Sequence, residues 1–506
     1  MKRQPPADGE MIATVYPPSG PLTGDLEPPS SKNFTTRYVL AACLGEGRSV
    51  VHRPAVQDDA VALVRCVRDM GAEVTALDAR GRPVDYTIDN AAAVDRLEIH
   101  GFGSRPRLLH PDKPLNPGNA GAVFRMLLAV SALLPEVRWE TEYHDSLGRR
   151  PHGDLLEALR QLGVEVEANG AEGRLPIVLR GGADRIREHV QRVRREEALA
   201  PEDPFPVTVS GEISSQYTSA LLFLAPLLGF PLRISVTGRL KSLPLIETTR
   251  RVLSNAGVEV ESSAERDMHL VRAGQRYKAH RWETNGDWPG AAAMLAAAAV
   301  MPKSRIRIAR LYDDEQGERE CVHFFSRMGC RVAREEVPGR GELLVLEAPE
   351  RLRAAAINGD LCTDAVLAME AAAACAEGTS RFVQIRNLQF KECDRVREPL
   401  EELQKVYATF PLTAEEAAES GSRRHPPLRY EPEDDPDTVY ITGRPEGFEG
   451  GTLVDGRGDH RVIMMLSVVA LRCRKGLRID GAEHASKSFP GWFDTLRQMG
   501  VRVDEE

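Results

Sequence analysis

The sequence predicts an α/β protein built from six repeated units in two sets of three. Two observations predict it. First, a helix-like stretch ending in a hydrophobic–Gly–hydrophobic step and an alternating strand recurs as VRDMGAEV (Gly71), LRQLGVEV (Gly163), LSNAGVEV (Gly257), FSRMGCRV (Gly329) and LRQMGVRV (Gly500). The last interval is about twice the others, so a degenerate copy belongs between them; LEELQKVY, Leu400 to Tyr407, has the helix without the glycine. Second, an Ala/Leu-rich helical run precedes each step: VLAACLGEG, RMLLAVSALL, SALLFLAPLL, AAMLAAAAV, LAMEAAAACAEG and IMMLSVVAL.

Each element of a unit has its own reason. The first helices are apolar nearly all round, which predicts an inner, fully buried layer. A short strand follows, as in RIRIARL or RFVQIRNL, and then a polar loop and the second helix. The second helices are amphipathic and so cover that layer together with the sheets. The glycine falls just past a helix end, where a left-handed conformation is needed. The divide between the two sets falls near Thr284, which predicts two domains of three repeats each. Charge-rich 183–206, expected to add a helix, and Pro/Glu-rich 412–437 read as surface insertions.

Composition narrows the class. The chain has 506 residues, 42% hydrophobic and 28% charged, enough for two large cores. Its eight cysteines form no C-x-x-C pair, which fits buried thiols in a reducing compartment. A net charge of −9 argues against general nucleic-acid binding. No segment reaches the roughly 18 to 20 apolar residues of a membrane helix, and Lys2 and Arg3 lead into prolines and acids with no apolar core for a signal peptide. A cytoplasmic protein that contacts neither nucleic acid nor membrane is expected.

Polar residues gather at two equivalent places in each unit. One is the start of the inner helix: SSKNFTTR, NPGNAGAVFR, GEISSQYTS, GDWPGAA, GDLCTDAV and GRGDHRV. The other is the loop before the second helix, with Arg150, Lys241-Ser242, Lys391-Glu392-Cys393-Asp394-Arg395 and Ser486-Lys487-Ser488. Helix N-termini offer unpaired N–H groups and about half a positive charge, so they attract anions. Ser, Asn and Asp there serve equally as plain caps. Lys32, Arg37, Arg125, Arg150, Lys391, Arg395, Arg461 and Lys487 oppose the helix dipole, and together they predict a site for small, multiply charged anions such as phosphates or carboxylates.

These motifs, with RRPHGDL, KECDRV, GDHRVIMM and ASKSFPGWF, occur in the order seen in EPSP synthases, the 3-phosphoshikimate 1-carboxyvinyltransferase family of enolpyruvyl transferases, which the chain resembles from about Met11 to Val503. The resemblance implies a two-domain inside-out α/β barrel, three βαβαββ units per domain, with one domain over 30–284, a discontinuous one made of 1–29 and 285–506, and the active site in the cleft between them, working as a monomer without metal or organic cofactor. It implies transfer of the enolpyruvyl group of phosphoenolpyruvate to the 5-hydroxyl of shikimate 3-phosphate, in the shikimate pathway that leads to chorismate and the aromatic amino acids. Lys32, Gly121, Arg150, Gln216, Arg395, Arg461 and Lys487 correspond to the phosphoenolpyruvate site. Lys32, Asn33, Arg37, Ser214, Ser215, Gln216, Ser242, Asp364 and Lys391 correspond to the shikimate 3-phosphate site.

The implied addition and elimination need a base at the hydroxyl and an acid at the methylene carbon. Asp364 and Glu392 are the candidate bases and Lys32 the candidate acid, with Lys487 or His460 supporting. Several positions depart from the family: Asn33 replaces a serine, Leu245 an aromatic residue, Ala122 a threonine and Met126 a proline. Gly121 matches the glyphosate-sensitive form, while Ala122 and Met126 alter the wall beside it, so weakened inhibition by glyphosate is expected. The alternatives are an enolpyruvyl transferase for another acceptor, a nucleotide sugar or a specialised metabolite, and a non-catalytic ligand-binding relative. The loop Asp145 to Arg150 lacks the cysteine usual in the nucleotide-sugar enzyme, and retention of both Lys32 and Glu392 argues for catalysis.

Overall fold

In the computed structural model, residues 11–88, 90–409, 427–431 and 437–506 are described. Most of the 412–437 insertion lies outside them, as does the N-terminal segment carrying Lys2 and Arg3. The chain forms two compact units, one of Ser30–Asn285 and one of Met1–Pro29 with Gly286–Glu506.

The repeats predicted from sequence are present as one small sheet each. In the first unit the sheets are built on Arg48–His52, Arg174–Arg180 and Leu232–Thr237; in the second, on Arg305–Ile308, Thr379–Val383 and Leu477–Asp480. A unit enters on an edge strand, passes through its inner helix and returns parallel to that strand. Phe205–Ser210, the helix Ser215–Leu224 and Leu232–Thr237 show this order, with Ile234 opposite Val207. An outer helix and an antiparallel hairpin complete the sheet. Two edge strands are exchanged: Thr23–Leu26, which leads towards the inner helix at 32, pairs with Arg305–Ile308, whereas Arg281–Glu283, which leads towards the inner helix at 288, pairs with Val50–His52. Each exchanged strand therefore closes a sheet of the unit that holds it.

The inner helices are Lys32–Leu44, Gly121–Ser131 and Ser215–Leu224 in the first unit, and Trp288–Val300, Val366–Ala374 and His460–Ala470 in the second. Trp288–Val300 and Val366–Ala374 are buried at every residue. Their alanines let the three helices of that unit pack on one another, because a helix surface without long side chains permits close approach. The outer helices Asp58–Asp69, Gly153–Gln161, Leu243–Asn255, Cys321–Arg327, Glu398–Tyr407 and Trp492–Gln498 each bury one face. The five step glycines sit at φ of 98°, 85°, 83°, 101° and 96°, the left-handed turn that ends every outer helix except Glu398–Tyr407. The 183–206 segment contributes the helix Ala183–Glu196, anchored by Ile186 and Val190. All eight cysteines are buried and free. Among the described residues no helix is long and apolar enough to cross a membrane.

Candidate active site

Four of the inner helices start with side-chain caps. Ser31, Ser214, Asp287 and Asp459 each accept a backbone N–H from the first turn, which costs about 1 kcal/mol to lose. None of the six has an acidic residue within its first turn, while Asp58-Asp59, Asp154, Glu398 and Asp494 open four of the outer helices. Two of the ends hold a carboxylate cap, Asp287 and Asp459, while those at 32, 121 and 215 carry no acid at cap or first turn and keep their positive field for other anions.

In the unit that contains Gly286–Glu506, the candidates form one connected network. Arg395 is its centre and is only 2% exposed. Its Nε and Nη2 donate to the two oxygens of Asp459 at 2.8 and 3.1 Å, its Nη1 to Asp364 at 3.0 Å, and its Nη2 to Glu392 at 2.7 Å. Burial alone would weaken its hold on the proton, but Asp459, Glu392 and Asp364 more than offset this and keep it well above its ordinary value. Lys391 Nζ donates to the same Asp364 oxygen at 3.2 Å, and Lys487 Nζ lies 3.5 Å from Glu392. Asp459 also caps its helix through Arg461 N, and His460 Nδ1 stands 3.7 Å from it. Among the described residues the buried Arg461 Nε and Nη1 have no hydrogen-bond acceptor, and Lys487 Nζ has none beyond its 3.5 Å ion pair with Glu392. Buried charged donors in that state cost a few kcal/mol each, a cost that an anionic ligand removes.

The other unit carries a second group. Arg125 links three places: Nη1 donates to Gln216 Oε1 at 2.9 Å and reaches Ser214 Oγ at 3.4 Å, while Nε reaches His152 Nδ1 at 3.4 Å. Ser215 is buried in the same first turn, and Ser242 holds a left-handed conformation (φ 50°) at the start of the helix Leu243–Asn255. Arg150 is buried, donates to Ser146 Oγ at 3.3 Å and leaves its Nε without an acceptor. Gly121 sits directly against it, since a Cβ there would come within 2.8 Å of Arg150 Nη1. Lys32 pairs with Asp59 at 2.9 Å. Arg37 is enclosed and donates to Thr249 Oγ1 and to the carbonyls of Asn33 and Leu245, so all three of its nitrogens are engaged within its own unit.

Three participants escaped the candidate set drawn from sequence. Arg125 appeared there only as part of a positive field. His152, in the RRPHGDL motif, is fully buried with Nε2 unpaired, and burial followed by the nearby Arg125 and Arg150 holds it well below its ordinary value. Glu318 accepts the backbone N–H of Asp364 at 3.2 Å. Nothing in their local spacing marks them, because each acts on a partner at least 27 residues away. Among the described residues no three His, Cys, Asp or Glu side chains are grouped to hold a metal ion.

Fold and site together define a two-unit α/β protein with carboxylates held between buried cations near the starts of its inner helices. Comparison with known proteins narrows this class. Residues 17–496 match the EPSP synthase (3-phosphoshikimate 1-carboxyvinyltransferase) family, and the chain belongs to it. A 3-phosphoshikimate 1-carboxyvinyltransferase of Deinococcus radiodurans is 39% identical over 491 residues, covering 97% of this chain and 96% of that one. One from Burkholderia pseudomallei is 29% identical over 485 residues, covering 96% and 93%. The solved EPSP synthase of Acinetobacter baumannii superposes with a TM-score of 0.71 at 19% identity, over 98% of this chain and all of that one, which establishes the shared fold.

Proposed function

We propose that this protein is a transferase that moves the enolpyruvyl group of phosphoenolpyruvate onto the 5-hydroxyl of shikimate 3-phosphate, releasing phosphate. The observation that carries the reading is the paired set in one unit: Asp364 and Glu392 held on Arg395, beside Lys487, ion-paired with Glu392 at 3.5 Å, and Arg461, whose buried Nε and Nη1 have no acceptor among the described residues. Arg461, Lys487, Arg395, Arg150 and Gly121 would receive the carboxylate and phosphate of phosphoenolpyruvate, guanidinium forks suiting both groups. Ser214, Ser215, Gln216, Ser242 and Lys391 would receive shikimate 3-phosphate, with Asn33 and Arg37 shaping its ring pocket.

In the addition step Asp364 or Glu392 accepts the proton of the attacking hydroxyl. Lys32, supported by Lys487 or His460, delivers one to the methylene carbon. Elimination reverses the proton transfer at that carbon and expels phosphate. The reaction requires both groups of residues to serve one substrate pair, and closure over it excludes water and so suppresses hydrolysis. The protein is read as a monomer of the cytoplasm that needs no metal or organic cofactor. The names of its relatives favour shikimate 3-phosphate over a nucleotide-sugar acceptor.

Phosphate release from phosphoenolpyruvate tests the reading. It is expected with shikimate 3-phosphate and not with UDP-N-acetylglucosamine or unphosphorylated shikimate. Lys32→Ala and Glu392→Ala should each lower kcat by about 10²- to 10⁴-fold, the usual worth of a proton-transferring group. Near-normal turnover in either variant removes that residue from the mechanism, and release with the nucleotide sugar alone overturns the acceptor.

A further inference from the structure

Behind the Asp364 carboxylate lies a second acid that the reaction scheme above does not use. Glu318 lies in the short turn Gly317–Glu320, which Gln316 pins to the start of the inner helix Trp288–Val300. Gln316 Nε2 donates to the Gly286 carbonyl at 3.0 Å and to Asp314 at 2.9 Å, and its Oε1 accepts Trp288 N at 3.3 Å. The anchored turn brings Glu318 to 4% exposure, with Oε1 accepting the backbone N–H of Asp364 at 3.2 Å and Oε2 buried without a partner among the described residues. A carboxyl group left with one bare oxygen in the interior is expensive as an anion. Retaining only the anchoring role would not call for an acid, since a glutamine carbonyl could accept the same N–H.

We propose that Glu318 is a positioning residue for the reaction, anchoring the backbone of Asp364 from behind and imposing its own charge on the carboxylate that serves as base. The inference rests on the proposed enolpyruvyl transfer. The ionisable groups coupled to Glu318 are Asp287 at the adjacent helix cap, Cys362 and Asp364 from the turns at 359–365, and Cys321 from the helix that follows its own segment. No cation is among them; Arg395 and Lys391 reach Asp364 directly. Burial first, then the Asp364 charge, push the Glu318 carboxyl up to about 7. The coupling is reciprocal: once Glu318 loses its proton, Asp364 becomes the stronger base.

The sign follows. Below pH 7 Glu318 is neutral and Asp364 the weaker base; above it the added negative charge strengthens Asp364. In the wild-type enzyme kcat therefore rises through an inflection near pH 7. Glu318→Gln keeps an acceptor for the Asp364 N–H but can never ionise. It should match wild type at pH 6, fall about five- to tenfold below it at pH 8.5, as a coupling near one pK unit gives, and keep KM for shikimate 3-phosphate within about twofold. Glu318→Asp, which keeps the charge, should keep the inflection, and it decides the matter if the glutamine variant does not fold. A glutamine profile that superimposes on wild type, a uniform loss at every pH, or an aspartate variant without the inflection overturns the proposal. Wild-type protein that releases no phosphate from the two substrates overturns the functional reading instead.

Discussion

Two buried arginines show what burial of a guanidinium means at the scale of a residue. Arg395 is surrounded by three carboxylates, whereas Arg37 has only a hydroxyl and two carbonyls. Burial without an opposing charge pulls Arg37 below the ordinary arginine range. The two therefore sit in different settings: Arg395 is the hub of a charged network, and Arg37 is also a strut joining the inner helix at 32–44 to the helix at 243–255. Both were read from sequence as ligands because both lie in motif positions. The 212 residues separating Arg37 from Thr249 hid the strut. Gly121 supplies a sharper case, since its hydrogen leaves the space that Arg150 fills. In Gly121→Ala the new methyl meets the mobile end of that side chain at 2.8 Å, with its next neighbour, Leu147 Cδ1, at 3.7 Å. The guanidinium yields rather than the backbone. Steady-state kinetics should show KM for phosphoenolpyruvate raised roughly tenfold, about 1.4 kcal/mol, with kcat and Tm nearly unchanged. An unaltered KM would separate Arg150 from phosphoenolpyruvate binding.

Among the elements, the helix–Gly–strand step was the most legible feature of the chain. It was legible because it rests on a local steric rule, and all five glycines take positive φ. Their neighbours differ, which was not legible. A Cβ at Gly500 meets nothing within 4 Å, whereas one at Gly163 lies 2.5 Å from the Cβ and Cγ of His189, on the helix that the 183–206 insertion adds. Gly500→Ala should cost about 1–2 kcal/mol, the conformational penalty alone. Gly163→Ala should cost roughly 3 kcal/mol or more, because a packed helix must also move. Urea titration reads both, and equal losses would mean the inserted helix gives way freely. Strand exchange was less accessible to local reasoning. Thr23–Leu26 and Arg281–Glu283 each pair with a strand beyond the inner helix of the other's sequence neighbour, about 280 and 230 residues away, so no nearby pattern encodes the partner. Only the resemblance to EPSP synthases suggested that the N-terminal strand joins the later repeats.

At the scale of the whole molecule, the buried titratable groups are divided unevenly between the two units, and the division sets how each responds to pH. The unit with Gly286–Glu506 buries Glu370, whose carboxyl is pushed by burial up to about 8, and Glu318, pushed to about 7. An acid whose folded pKa is raised binds its proton more tightly in the folded state. Its contribution is full below the unfolded value near 4.5 and is lost as pH climbs towards 8. The unit of Ser30–Asn285 buries His269, lowered to about 4 by burial and then by Arg250, and His152, lowered further. A base whose folded pKa is depressed is neutral in the fold, so its contribution is full above about 6.5 and is lost as pH falls towards 4. Solvent-exposed carboxylates with lowered pKa, such as Asp25 in one unit and Glu98 in the other, add a shared loss only at the acidic end. Each unit has its own hydrophobic core, so the order of unfolding should invert: the Gly286–Glu506 unit melts first at pH 8.5 and the Ser30–Asn285 unit first at pH 5. The four tryptophans report this directly, because Trp288 and Trp492 lie in one unit and Trp139 and Trp282 in the other. Fluorescence melts of the paired variants Trp139→Phe/Trp282→Phe and Trp288→Phe/Trp492→Phe should give midpoints that cross between those pH values. Glu370→Gln, which removes the titration while keeping the shape, should raise the first midpoint at pH 8.5 by about 3 °C or more and leave it unchanged at pH 5. Coincident midpoints at every pH, or a glutamine variant no more stable at alkaline pH, would show that these buried acids and imidazoles do not govern the two units separately.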